Sequence, residues 1–392
     1  MAYRIAVLIA ALVVTVALAP GAVAAHPDAA ASAATTQPEC SYPTTVTDVT
    51  GTNVTIEQPP ETVVAAQPSD AQLLTELGIG AKLVGMPVGP YTSHLDAPEN
   101  VTDVSADDGV TPVAETIVDL DADVVLAANT VTYVDGFVEQ LREADQTVYV
   151  FDSVSSIDEI RDNVRLAGAL TDECDSANDV VAEMDDRLAV IDEVVAEAER
   201  PLGYYVMGEG DLTTPGNGTF QHEILERGGL ENIGERVGIE GWQQLSEEEI
   251  VAEDPEWIVY ADHYDSPPEL EAAKSTTAWE QEQFVAVDSN AMSQPGPHVV
   301  DAIETIAATV HPDAYAAVTG DSNATDGGDD ASDDESADGG ASEDGGDADG
   351  SDADGSSDGA DPGDGSDDSM SGFGVVAAIA SLAGAALLGR RD

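Results

Sequence analysis

The stretch VVAAQPSDAQLLTELGIGAKLVGM, residues 63–86, changes its hydrophobic period twice and so defines the first structural unit. It opens as a β-branched run, continued from Glu61 and Thr62, of the kind that forms a buried strand. Ser69 or Asp70 then offers a helix N-cap, and Leu73, Leu74 and Leu77 recur at helical spacing until Gly78 ends the helix. Lys82 to Met86 reads as a second short strand.

The same alternation continues outward. TPVAETIVDLDADVVLAA gives a helix from Pro112 and a strand at Val124, Val125 and Leu126. FVEQLREAD and TVYVFD give another helix and strand. A repeated strand–helix alternation implies a parallel sheet covered on both faces, so residues 40–156 read as an α/β lobe. From Ser156 to Arg200 the spacing is helical throughout: Ile160, Val164, Ala167 and Leu170 share one face, and Val180, Met184, Leu188, Ile191 and Val195 another. Pro201 ends this connecting segment, residues 157–200. A second α/β lobe over 201–315 follows, with LGYYVM, FQHEILERGG, SEEEIVAED, EWIVYA and a closing helix from His298 to Thr309. Two such lobes on one long helical segment form a clamp with a cleft between them.

The charge balance excludes whole classes of function. The chain of 392 residues carries 12 Lys plus Arg against 78 Asp plus Glu, a formal net charge of −66, with 5% aromatic residues. No basic stripe can be drawn from so few cations, so a nucleic-acid partner is excluded. Residues 26–320 hold 58 acidic against nine basic residues, and Lys82 and Lys274 are the only lysines in the chain. Self-repulsion on that scale strains a compact state, and a Debye length of about 3 Å at 1 M salt relieves it. The surface is that of a halophilic protein.

Both termini read as addresses. Arg4 precedes an apolar run from Ile5 to Ala19, and Ala22, Val23 and Ala24 form an A-x-A-like cleavage site, so residues 1–25 read as a signal peptide. Residues 321–369 contain 19 carboxylates and no Lys or Arg, and nothing apolar enough to offset the entropy of ordering, which predicts an extended disordered tether. Residues 372–389 are uncharged and followed by Arg390 and Arg391; as a helix they span about 27 Å, enough for a transmembrane anchor. Ser371, Gly372 and Phe373 before this helix resemble the Pro-Gly-Phe sorting signal of archaeal surface proteins, apart from the first position. That resemblance implies an archaeosortase and a lipid in place of the helix. Export makes the sequons at Asn53, Asn100, Asn217 and Asn323 permissive for glycosylation, and it favours a disulfide between the two cysteines, Cys40 and Cys174.

Five motifs, taken together and in order, resemble the helical-backbone class of solute-binding proteins of ABC importers, which carry cobalamin, ferric siderophores or haem. They are the opening stretch, ETIVDLDADVVLA, GNGTFQHEILERGGLENI, GWQQLSEEEIVAEDPEWIVY and QPGPHVVDAIETIAATVHP, covering roughly residues 57–313. The resemblance implies two Rossmann-like lobes joined by a long rigid helix, with a ligand cleft between the lobes, and a permease and an ATPase as partners. It implies permease docking through one acid per lobe, Glu115 and Glu248, each entering an arginine pocket. It implies ligand contacts from Tyr91 in VGPYTSHLD and from Trp242 in GWQQLS, whose flat faces suit a corrin ring, with Asn217, Thr219, Phe220 and His298 as further contacts.

Among the family's ligands the corrinoid cobalamin is favoured, because an anionic chelate needs cleft arginines and only Arg142, Arg227 and Arg236 are available. A ferric siderophore remains an alternative ligand, as does haem, for which Tyr133, His263 and Tyr264 offer axial ligands. The histidines, including His94 and His222, show no ligand spacing, so no metal centre and no cofactor are expected. No Gly-x-Ser-x-Gly elbow, P-loop or Gly-x-Gly-x-x-Gly turn is present, which argues against an enzyme. A structural cell-surface protein remains the other alternative, although such proteins usually show β repeats and none are visible.

Overall fold

The computed structural model describes residues 40–208 and 210–320. The expected signal peptide, acidic tether, C-terminal helix and Asn323 sequon lie outside the described residues. Among the described residues no helix is long and apolar enough to cross a membrane.

A hairpin of β1 (Thr44–Thr47) and β2 (Asn53–Ile56) precedes the first lobe. That lobe contains β3 (Val63–Ala65), α1 (Pro68–Glu76), β4 (Leu83–Met86), β5 (Thr102–Asp103), α2 (Ala114–Leu120), β6 (Val124–Ala127), α3 (Phe137–Glu143) and β7 (Val148–Val150). Its sheet is wholly parallel in the order β5-β4-β3-β6-β7. Every residue of β3 and β6 is buried, as continuous apolar runs demand when helices cover both faces. The opening helix begins at least two residues earlier than its polar residues suggest. Gln67 is the N-cap, Pro68 occupies the first turn, and Asp70 closes a capping box by accepting from Gln67 N at 3.0 Å. Proline's fixed φ suits the first helical turn and so moves the start ahead of Ser69.

The connecting segment forms α4 (Ile157–Thr171) and α5 (Cys174–Val195), broken at Asp172, which adopts left-handed backbone. Each helix belongs to both lobes. On α4, Ile157 and Ile160 lie in the core of the second lobe, and Val164, Ala167 and Leu170 in that of the first. On α5 the order reverses: Ala177 and Val181 face the first core, and Met184, Leu188 and Ile191 the second. Gly168 allows the helices to meet, since a Cβ there would lie 2.5 Å from that of Ala177. Cys40 and Cys174 form a disulfide that fastens the chain entering the fold to the start of α5. Lys82, one of the two lysines, donates to Thr171 O and to Glu173 Oε1, both at 2.7 Å, at the C-terminal end of α4. A cation there meets the negative end of the helix dipole.

The second lobe contains β8 (Leu202–Val206), β9 (Thr213–Pro215), α6 (Phe220–Arg227), β10 (Glu231–Asn232), α7 (Ile233–Arg236), β11 (Trp242–Gln244), α8 (Glu247–Glu253), β12 (Trp257–Ala261), α9 (Thr277–Glu280), β13 (Phe284–Val287), α10 (Ser289–Ser293), α11 (Val299–Val310) and α12 (Pro312–Thr319). Its main sheet, β10-β8-β12-β13, is again parallel, and β9 and β11 form a separate antiparallel pair. The closing helix α11 starts after His298, which is its N-cap.

Gly168→Ala tests the helix junction. Alanine favours a helix by up to about 1 kcal/mol over glycine, whereas overpacking costs about 1–3 kcal/mol. Its neighbour is a rigid Cβ on a packed helix, so net destabilisation is expected, read as a lower thermal midpoint at fixed salt. Removing the disulfide by Cys40→Ser with Cys174→Ser should cost about 2–5 kcal/mol of stability by the same measurement.

Candidate ligand cleft and docking face

Both parallel sheets have a switch point, where strand order reverses and a crevice opens at the carboxyl edge. In the first lobe it lies between β3 and β6, and Asp70 occupies it: its Oδ2 accepts from Gln67 N at 3.0 Å and from Ala128 N at 2.9 Å. Ser69, Asp70, Leu73, Asn129, Asp152 and Pro295 are among the residues lining a cavity of about 30 Å³ at this crevice, and Pro295 comes from the second lobe. That volume suits a single water molecule, and the loops after β6 and β7 contribute to its lining. Burial pushes the Asp70 carboxyl up to about 8, against the opposing effect of the two amide donors.

Aromatic residues stand on the loops that follow the strands. Tyr91 follows β4 and is half-buried, with its carbonyl accepting from Gln294 Nε2 at 2.9 Å. Tyr133 follows β6 and is 48% exposed. His263 and Tyr264 follow β12 with ring centroids 4.1 Å apart. Trp242 opens β11, half-buried and opposite Pro215 of β9.

Three of the expected contacts are engaged by the fold instead. Thr219 is the buried N-cap of α6, accepting from His222 N at 3.1 Å and donating to Gly216 O at 2.8 Å, so its hydroxyl is already satisfied. Phe220 is 5% exposed within the core of the second lobe. His298 places Nε2 2.8 Å from Glu76 Oε1 of α1 and thereby bridges the lobes. Asn217 is half-buried, and its backbone is tied to Ile239 and Gly241.

The two candidate docking acids occupy matching places. Glu115 is exposed in the first turn of α2, the helix before β6, and Glu248 is exposed in the first turn of α8, the helix before β12. Geometry separates Glu248 from its neighbour. Glu249 closes a capping box, accepting from Ser246 N at 2.8 Å, whereas Glu248 lines an open groove of about 440 Å³ with Glu247, Val251 and Glu271.

The scarce cations are all engaged. Each Lys and Arg among the described residues forms an ion pair, including Arg142 with Asp48, Arg227 with Glu223 at 2.8 Å and Arg236 with Glu253 at 3.3 Å. One histidine cluster went unread in the sequence: His222, Glu226 and Glu235 bring one ligand atom each within 4.8 Å. Asn232 donates to Pro215 O and accepts from Gly234 N, which orients its second N–H toward His222 Nδ1 at 3.2 Å. The cleft residues Asp152 and Asn129 were also unread, since nothing in a linear sequence reports which strand ends become neighbours.

Two parallel-sheet lobes, bridged by helices and opening at facing carboxyl edges, define a two-lobed binding protein. A family model described as periplasmic binding protein matches residues 63–289, and the chain belongs to that family. It is 36% identical over 394 residues, covering 98% of this chain and 97% of the relative, to a protein of Halobacterium salinarum (strain ATCC 29341 / DSM 671 / R1) named "Cobalamin-binding protein". It is 25% identical over 286 residues, 70% of this chain and 87% of the relative, to the "Uncharacterized ABC transporter substrate-binding lipoprotein YvrC" of Bacillus subtilis (strain 168). Among solved structures, Helicobacter pylori CeuE in its Ni-His complex shares the fold, with a TM-score of 0.57 and 20% identity over 70% of this chain and 90% of that one.

Asp70→Asn tests the switch point. The raised carboxyl binds a proton in the folded state that the unfolded chain has already lost, so wild-type stability falls as pH rises from about 4 to about 8. The amide retains an acceptor for both N–H groups and cannot titrate. The variant should therefore gain on the wild type across that range, with thermal midpoints at constant salt as the readout.

Proposed function

We propose that this chain is the exported substrate-binding component of an ABC importer and that it captures a corrinoid of the cobalamin class. The observation that carries the ligand class is the engagement of every described lysine and arginine in an ion pair. An anionic chelate would have to compete with the protein's own carboxylates for one of these cations, a competition that a nearly neutral corrinoid avoids. Tyr91 and Tyr133, on the loops after β4 and β6, and Trp242, at the start of β11, offer flat apolar contact of the kind a corrin ring uses. The relative named as a cobalamin-binding protein, similar along nearly its whole length, supports the same reading. Haem is the second reading, favoured by the neighbouring rings of His263 and Tyr264 after β12.

The role is capture and delivery, without chemistry on the ligand. The cleft holds the corrinoid at the carboxyl edges of both sheets, while Glu115 and Glu248 present carboxylates on one helix of each lobe to arginines of the permease. Charge-assisted pairs of this kind survive multimolar salt only where the contact buries them. The apolar segment at 372–389 or a lipid replacing it keeps the receptor at the membrane beside its importer.

Calorimetric titration in multimolar KCl with cobalamin, cobinamide, haem and a ferric hydroxamate tests the ligand. One-to-one binding of the two corrinoids alone is expected; a response only to the iron compounds would replace the ligand class, and silence from all four would remove the receptor role. Trp242→Ala should weaken corrinoid binding about tenfold or more, the equivalent of about 1.4 kcal/mol, with an unchanged thermal midpoint. Glu115→Arg and Glu248→Arg should leave that affinity intact and reduce uptake by cells, and undiminished uptake would sink the docking assignment.

A further inference from the structure

A second set of contacts, separate from α4 and α5, ties the lobes together. Residues 294–298 of the second lobe lie along one face of α1 of the first. Pro295 lines the cavity with Ser69 and Leu73. Gln72 Nε2 approaches Gln294 Oε1 at 3.5 Å. Gly296 lies against the same Gln72, whose Oε1 would be 2.1 Å from a Cβ at that position. One turn further along α1, Glu76 Oε1 meets His298 Nε2 at 2.8 Å. The loop after β4 joins in: Tyr91 O accepts from Gln294 Nε2 at 2.9 Å, and Asn290 Nδ2 lies 3.3 Å from His94 Nδ1.

Gln72, Gln294 and Gly296 are uncharged and present the same surface at any pH between the titrations of acids and lysines. Glu76 and His298 are different, because one proton converts an ion pair into an ordinary hydrogen bond. We propose that Glu76 and His298 form a proton-operated clasp that sets how far the two lobes open. It rests on the two-lobed architecture alone and holds whichever ligand the cleft takes.

The surroundings of the clasp fix its direction. Facing His298 are Glu76 on α1, Asp301 on α11 with Oδ2 3.7 Å from Nδ1, Asp288 at the start of α10, and the ring of His94 at 5.9 Å. Asp301 is shared with Arg187 of α5 at 2.7 Å, which leaves Glu76 as the main counter-ion. The hydrogen bond to Glu76 raises His298 above its ordinary 6.5, and the same bond lowers Glu76 below its ordinary 4.5. His94 is lowered by burial and by the neighbouring His298 charge, so it loses its proton before His298 does as pH rises. A raised histidine contributes fully below about 6.5 and loses its contribution as pH rises through the folded value; a lowered carboxylate contributes above about 4.5 and loses it on further acidification. The charged clasp is therefore complete at mildly acidic pH and released on the alkaline side. Above that point the lobes keep only the neutral contacts along α1, and the cleft opens more widely.

Spin labels on non-thiol reactive residues at exposed Asp119 and Glu280, one on each lobe, report the interlobe distance with the disulfide intact. In the ligand-free protein in multimolar KCl, the distance distribution should be narrow at pH 6 and broaden between pH 6.5 and 9. Glu76→Gln should be broad throughout, and His298→Arg, a permanent cation, should stay narrow to pH 9. A wild-type distribution that ignores pH, or a Glu76→Gln protein that still follows the wild-type titration, would overturn the clasp. Circular dichroism of each variant establishes that it is folded, and either variant read alone decides the outcome.

Discussion

The shared ownership of α4 and α5 is the constraint on which the structure depends. An amphipathic helix normally buries its stripe in one core, yet here each stripe is divided, one half facing each lobe. Neither lobe is complete without both helices, and the lobes cannot separate without exposing Ile157 and Ile160 on one side or Val164 and Ala167 on the other. The junction is reinforced where it is narrowest. Gly168 brings the helices together, the disulfide fastens Cys174 to the incoming chain, and Lys82 satisfies the Thr171 carbonyl at the end of α4. Any movement around the cleft has to work against this shared packing, to which the polar contacts along α1 add a second restraint.

Charge scarcity shapes the rest. With 58 acids and nine basic residues over 26–320, each cation carries a structural duty: Lys82 caps a helix, Arg187 ties α5 to Asp301 of α11, and Arg142 pairs with Asp48, whose side chain is fully buried. A guanidinium in the cleft would be drawn to the protein's own carboxylates, and the proposed corrinoid site accordingly relies on apolar faces, amides and backbone groups. In so acidic a surface only geometry distinguishes one carboxylate from its neighbours. Glu248 emerges from a run of three glutamates because its neighbour Glu249 is held by the Ser246 capping box.

The class of fold, with its two lobes and the helical segment between them, and the cysteine pairing are legible in the linear sequence. These follow from period changes, Gly and Pro boundaries and cysteine count, which are local signals in which adjacent residues carry the information. The tertiary structure decided what those signals cannot reach. Strand order, and with it the switch point at Asp70, depends on which strands cross over which. Thr219 and Phe220 sat in a loop motif that promised ligand contact, but Thr219 caps α6 and Phe220 fills a core. His298 stood beside a turn motif in the sequence and proved to pair with Glu76, 222 residues away. The physical reason is common to all three: a side chain's role is set by the neighbour it meets in space, and that neighbour comes from a distant part of the chain.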